Sequence, residues 1–194
     1  LLIIIGVLVA AMASRQTRSA SPPDKFEPVP LQEEVVEVAA VKSATAQYFD
    51  SLGLVDVSEM DESIAVSLLY ATPRNFVGEV MYDDLTEAYL HPEAAEALLK
   101  AQQLLKEQHP DYTLIVYDAA RPMRVQRKMW NRVRGTSKNV YVSNPANGGG
   151  LHNYGLAVDV SILAADGVPL PMGTEVDHLG FEAHTTNERT LVES

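Results

Sequence analysis

The chain has 194 residues, 46% of them hydrophobic and 21% charged, which suits one globular domain with an appendage and excludes a disordered chain. Its formal net charge of −11 repels polyanions, which argues against nucleic acid and anionic membrane surfaces as partners and leaves small or cationic substrates open. With no cysteine, disulfide staples and thiolate metal sites are excluded, so any metal must be held by imidazole and carboxylate.

Residues 1–13 (LLIIIGVLVAAMA) form an apolar stretch, shorter than the about 20 residues a bilayer-spanning helix needs. They read as the h-region of a signal peptide, beginning inside the signal, and Ala11-Met12-Ala13 offers the small-x-small pattern of a cleavage site. A short uncleaved anchor is the alternative. Both place the body outside the cytoplasm, in the periplasm or secreted, and the short length leads to the expectation of no stable membrane span. Residues 14–44 are a linker and lead-in, in which Pro22, Pro23, Pro28 and Pro30 prevent regular helix. The domain itself is expected over 45–194, with apolar content recovering across 31–50 and no internal repeat.

IAVSLLY (64–70), ended by Ala71-Thr72-Pro73, reads as a strand. Residues 92–108 space Ala94, Ala97, Leu98, Ala101, Leu104 and Leu105 by threes and fours, with Pro92 and Glu93 early and Lys106 late. That pattern predicts an amphipathic helix whose charges suit its dipole. TLIVYDA (113–119) predicts a buried strand leading into Arg121-Pro122, and Val125, Met129 and Val133 give a second helix its stripe, stopped at Gly135. NPANGGG (144–150) predicts a mobile loop, AVDVSIL (157–163) another strand, and Asp166-Gly167 a hairpin turn. Helices and strands mix without regular βαβ alternation, so the fold class is α+β: one domain with a small, mainly antiparallel sheet flanked by helices.

The segment with most chemistry is Gly150-Leu151-His152-Asn153-Tyr154-Gly155-Leu156-Ala157-Val158-Asp159. An imidazole precedes a carboxylate by seven residues, and Asp159 lies within an apolar strand pattern where an uncompensated charge is costly. A zinc ion shared by His152 and Asp159 compensates it; a backbone donor to Asp159 and a loop role for His152 would do so equally. Arg121 follows a strand end and is fixed by Pro122, with Asp118 three residues earlier placed to orient its guanidinium. Near a hydrolytic metal such a cation stabilises an oxyanion; otherwise the pair is an ordinary ion pair.

From about Tyr70 to about Thr186 the sequence resembles the D-alanyl-D-alanine dipeptidases, zinc D,D-peptidases that share a fold with the Hedgehog signalling domain. The resemblance runs through YATPRNFVGE (70–79), the following Tyr-Leu and helix, YDAARP (117–122), HNYGLAVD (152–159) and PMGTEVD (171–177), in the family's order. It implies one zinc ion per chain with His152 and Asp159 as ligands, Arg121 steadying the transition state, and Asp118 supporting Arg121. It further implies that Tyr70 and Asp177 line the substrate pocket, Asp177 receiving the ammonium of a free dipeptide. The family's serine-rich approach to the histidine is here Gly149-Gly150-Leu151, so a polar substrate contact is missing there or comes from elsewhere.

In the family the third ligand and the general base come from a later Glu-x-x-His. The sequence ends at Ser194, before that motif is due, so the expectation is a C-terminally truncated member, nearly inactive by itself. Glu175-Val176-Asp177-His178 fits the pattern literally, but it lies in a segment matching one upstream of the true motif, and His184 matches a non-ligand. His91 and His109 flank a helix and read as caps or surface residues. The implied function is zinc-dependent hydrolysis of D-Ala-D-Ala in cell-wall peptide turnover, its partner a small-molecule substrate. A carboxypeptidase of peptidoglycan stems and a non-catalytic wall-peptide or protein binder are the rivals, and composition leaves the oligomeric state open.

Overall fold

Ser43 opens the first element described in the computed structural model, which describes residues 41–187 and Arg189. The expected signal segment and most of the Pro-rich linker lie outside the described residues. The Ser43 hydroxyl accepts from the Ala46 N–H at 3.0 Å, the side-chain cap that a helix start favours, and α1 (Ala44–Ser51) follows. Thr45 fastens this helix to the body: its N–H and hydroxyl both donate to Asp84, at 3.0 and 2.7 Å.

The Thr45 hydroxyl is the main cause holding the Asp84 carboxyl below its ordinary range. A depressed carboxyl contributes stability that is present above its unfolded pKa and lost as pH falls through the folded one. Thr45→Val removes the hydroxyl donor at similar shape, so it is expected to destabilise clearly at about pH 7 and less at about pH 2, because the carboxyl gains its proton as pH falls. Urea denaturation at the two pH values checks this; an equal loss at both would contradict it.

A short ribbon comes next, where β1 (Val55–Asp56) runs into the single turn α2 (Val57–Met60) and pairs antiparallel with β3 (Tyr89–Leu90). Between them lies β2 (Ala65–Val66). The apolar run 64–70 was expected as one strand, yet only these two residues pair as one, and Leu69–Ala71 form a 3-10 turn. A short, nearly continuous apolar run carries no period that separates strand from turn. Here the Tyr70 carbonyl accepts from Met81 and Tyr82 N–H, which draws the chain out of the sheet and buries the Tyr70 ring.

The long helix α3 (Pro92–Gln108) has the predicted bounds. Its inward face differs from the predicted stripe: Ala95, Leu98 and Gln102 are buried, while Leu104 is exposed. Gln102 explains the rotation, because its side chain donates to Ser63 and Thr113 hydroxyls and accepts from the Leu114 N–H. A polar side chain can lie in a core when its bonds are met there, and an apolar pattern does not count it.

Strand β4 (Thr113–Asp118) is central, pairing parallel with β2 and antiparallel with β5 (Asp159–Leu163). This three-stranded sheet, order β2-β4-β5, packs with the helices around a core that includes Met81, Leu85, Leu90, Val116, Val125 and Met129. Each such side chain contributes about 1.5–3 kcal/mol by leaving water. Helix α4 (Met123–Val133) buries Val125, Met129 and Val133 as predicted, with Gln126 beside them. After β5 the chain turns at Asp166-Gly167, where Ala164 N–H donates to the Val168 carbonyl at 2.9 Å. The mixed helices and small sheets form an α+β fold. Among the described residues no helix is long and apolar enough to cross a membrane.

Candidate metal centre and substrate cleft

The ladder between β4 and β5 ends with Asp118 opposite Asp159, after an irregularity between Val116 and Asp118. Such a bulge re-aims side chains, and here two carboxylates come to one end of the sheet. The 3-10 turn Leu151–Tyr154 brings His152 to the same place. Gly155 closes this turn at φ 68°, in the left-handed region that favours glycine. A Cβ there would meet the His91 backbone nitrogen at 2.8 Å, so His152 is delivered by a turn only glycine fits.

Two further bonds dock the turn on the loop after β4. Arg121 N–H donates to the His152 carbonyl at 2.8 Å, and the Asn153 amide donates to the Arg121 carbonyl at 2.9 Å. The His152 ring is oriented by its Nδ1, 2.9 Å from the Ala119 carbonyl. A carbonyl only accepts, so Nδ1 carries the proton and Nε2 is left to face Asp159 Oδ1 at 3.5 Å. Metal-binding imidazoles are held in this way, by a backbone acceptor on the other nitrogen. Burial opposes charge on His152, yet the Asp159 hydrogen bond and the negative charges of Asp118 and Asp159 together outweigh it and raise the pKa, while Asp159 is correspondingly lowered against its own burial. The attraction marks a place for positive charge between them.

Asp118, His152 and Asp159 present ligand atoms within 4.8 Å of one another among the described residues. Asp118 is nonetheless committed elsewhere. Its Oδ2 accepts from Arg121 Nε at 3.1 Å and Nη2 at 2.5 Å, and its Oδ1 accepts from the Tyr82 hydroxyl. The His152 atom it approaches is Nδ1, at 3.4 Å, the nitrogen already turned to Ala119. The donor pair that fits zinc is therefore His152 Nε2 with Asp159, and Asp118 serves Arg121.

Arg121 is buried, with Nη1 donating to Gln126 Oε1 at 2.9 Å and its guanidinium carbon 5.1 Å from the centre of the Tyr70 ring. Burial acts against its charge, but Asp118, helped by Tyr82 and Tyr70, raises its pKa above the ordinary value. It stays a cation. Burial, then the charge of Asp118, pushes the Tyr82 hydroxyl well up, so it remains a donor.

Asp177 approaches from the far side of the sequence. The Tyr70 hydroxyl donates to its Oδ1 at 2.7 Å and the Phe76 N–H to its Oδ2 at 3.2 Å. Its backbone, at φ 68°, is the one left-handed non-glycine among the described residues, a conformation usually retained at working sites. Burial raises its pKa in spite of both donors. Tyr70, Arg121, His152, Asp159 and Asp177 thus line one cleft of about 520 Å³.

Glu175 and His178 face a neighbouring cleft, where His178 Nε2 lies 3.1 Å from Glu182, so the literal Glu-x-x-His does not join the cluster. His184 meets the Tyr141 hydroxyl at 3.0 Å. His91 caps α3, accepting from Glu93 N–H at 3.4 Å, and His109 stacks on Tyr112. Sequence reading missed Tyr82, Gln126 and Asn153. Only tertiary packing brings Tyr82 to Asp118, although a polar Gln126 beside the apolar stripe of α4 was a usable sign. NPANGGG, expected as a mobile loop, takes up a 3-10 turn over Pro145–Asn147.

Comparison with known proteins agrees with the motif series. A family model described as D-ala-D-ala dipeptidase matches residues 50–193. The D-alanyl-D-alanine dipeptidase of Escherichia coli (strain K12) is 28% identical over 135 residues, covering 70% of this chain. The match spans 66% of that relative's length. With three quarters of its length inside the family model, the chain belongs to the D-Ala-D-Ala dipeptidase family of peptidases.

Proposed function

We propose that the protein is a zinc dipeptidase that hydrolyses D-Ala-D-Ala in the periplasm or outside the cell, in turnover of cell-wall peptides. The convergence of His152 Nε2 and Asp159 Oδ1 at 3.5 Å, beside a buried arginine, carries this reading. His152 and Asp159 are the residues that would hold zinc, and the nitrogen and oxygen donors suit it. Bound zinc supplies a Lewis-acidic charge that lowers the pKa of water and polarises a carbonyl.

The chain's own residues do the rest. Asp118 and Gln126 hold the Arg121 guanidinium in one orientation, so its remaining N–H groups wait for negative charge developing on the scissile carbonyl oxygen. A donor fixed beforehand needs no reorganisation as the charge forms. At the other end, Asp177, held by Tyr70 and Phe76, receives the free ammonium of the substrate. Removing water around that pair strengthens it, and an acylated amino terminus would leave the carboxylate buried without its partner. This favours a dipeptidase over a carboxypeptidase of longer stems.

Release of free D-alanine from D-Ala-D-Ala by the zinc-loaded full-length protein tests the reading. Asp177→Ala is expected to lower kcat/KM for the free dipeptide by about 100-fold while barely affecting any residual cleavage of an N-acetylated substrate. Wild-type turnover of blocked and free amino termini at similar rates would replace the dipeptidase by the carboxypeptidase. Zinc binding without cleavage of either would favour the non-catalytic binder.

A further inference from the structure

Gly150 stands two residues before His152 on the wall of the candidate cleft, and its backbone gives no reason for a glycine. At φ −124° and ψ 178° it is extended chain that any residue adopts. The space beside it is instead already taken by another side chain. A Cβ at position 150 would lie 2.7 Å from the Ser143 hydroxyl oxygen and 3.1 Å from the Ser143 Cβ. A hydroxyl carried by a different segment thus fills the place that a side chain of residue 150 would take, and Ser143 and Gly150 line the same cleft as Arg121, His152 and Asp159.

Ser143 is also held in position. Its carbonyl accepts from Gln126 Nε2 at 2.7 Å, and Gln126 Oε1 accepts from Arg121 Nη1 at 2.9 Å. Gln126 is 1% exposed, so one buried amide ties the serine segment to the guanidinium.

A dipeptide is a zwitterion and needs partners at both ends. Asp177 suits the ammonium. Of the five N–H groups on a guanidinium, Arg121 commits three, two to Asp118 and one to Gln126, and the remainder serve the reacting carbonyl. The terminal carboxylate needs another donor.

We infer that the Ser143 hydroxyl is that donor, a specificity-determining contact to the carboxylate end of the substrate made from the space beside Gly150. The inference rests on the dipeptidase reading above. A hydroxyl donating to a carboxylate makes a charge-assisted bond, and its loss reads as a drop in affinity for ligands that carry the charge.

Calorimetric titration of the full zinc-loaded chain with D-Ala-D-Ala and with its C-terminal amide tests it without relying on turnover. Ser143→Ala is expected to weaken D-Ala-D-Ala binding by about 10-fold or more and amide binding by less than about twofold. The double variant Ser143→Ala with Gly150→Ser, which returns a hydroxyl from the other segment, is expected to recover affinity to within about threefold of wild type. Unchanged affinity in Ser143→Ala overturns the inference and leaves the dipeptidase reading standing. So does an equal loss for both ligands, or a loss the double variant does not recover. If the wild type binds neither ligand, the dipeptidase reading itself fails and takes the inference with it.

Discussion

On the zinc-dipeptidase reading, His152→Ala in the full-length protein is expected to abolish metal binding: after dialysis, bound zinc falls below about a tenth of an equivalent, and dipeptide hydrolysis drops by about 1000-fold or more. The expectation follows from how few donors converge. Within the cluster of Asp118, His152 and Asp159, only His152 Nε2 and Asp159 face each other with atoms not already committed, since Asp118 is held by Arg121 and Tyr82. Losing one of them removes a large share of the binding energy. Asp159→Ala should behave alike, because the 42% exposed carboxylate has His152 as its near partner and little structural work besides. His109→Ala is the control, since that ring stacks on Tyr112 away from the cleft. Elemental analysis of the three variants decides the matter. Wild-type zinc content in both His152→Ala and Asp159→Ala would sink the metal centre as placed here.

Arg121→Ala should damage both activity and stability, and the two losses have separate causes. For activity, if Arg121 serves the reacting carbonyl as proposed, removing such an oxyanion donor costs about 100- to 1000-fold in kcat. For stability, the variant leaves Asp118, 1% exposed, with the Tyr82 hydroxyl as its remaining strong donor. Breaking a buried ion pair from one side costs about 3–5 kcal/mol, readable as a lowered denaturation midpoint. Arg121→Lys separates the effects. It restores a charge beside Asp118 but cannot reproduce the paired Nε and Nη2 contacts or the Gln126 bond, so stability should recover in part while kcat stays low. Full activity in Arg121→Lys would show that charge alone suffices and that the clamp has no catalytic consequence.

Position along the chain decided which parts of this molecule were legible beforehand. Helix α3 was readable to its ends because Pro92 and its acidic first turn mark the start and His109-Pro110 the stop; each is a local backbone effect. Its inward face was not, since Gln102 became a core residue through partners on two other segments. The same contrast separates β4, a continuous apolar run, from 64–70, where pairing ended at Val66 and a 3-10 turn took over.

At the site, residue types and order determined the chemistry on offer: without cysteine a metal needs imidazole and carboxylate, and HNYGLAVD supplies both seven residues apart beside an arginine fixed by Pro122. Those are properties of side chains and of short-range backbone geometry, which a linear sequence carries in full. Tertiary structure alone decided which two of three neighbouring acidic and imidazole groups are free to face a metal. It brought Tyr82 to Asp118, whose pairing with Arg121 the sequence already suggested, brought Asp177 against Tyr70 across 107 positions, and set the Ser143 hydroxyl in the space beside Gly150. These depend on long-range packing, where a distance of a few ångströms settles whether a group is a ligand, a clamp or a substrate contact, and no local pattern encodes that distance.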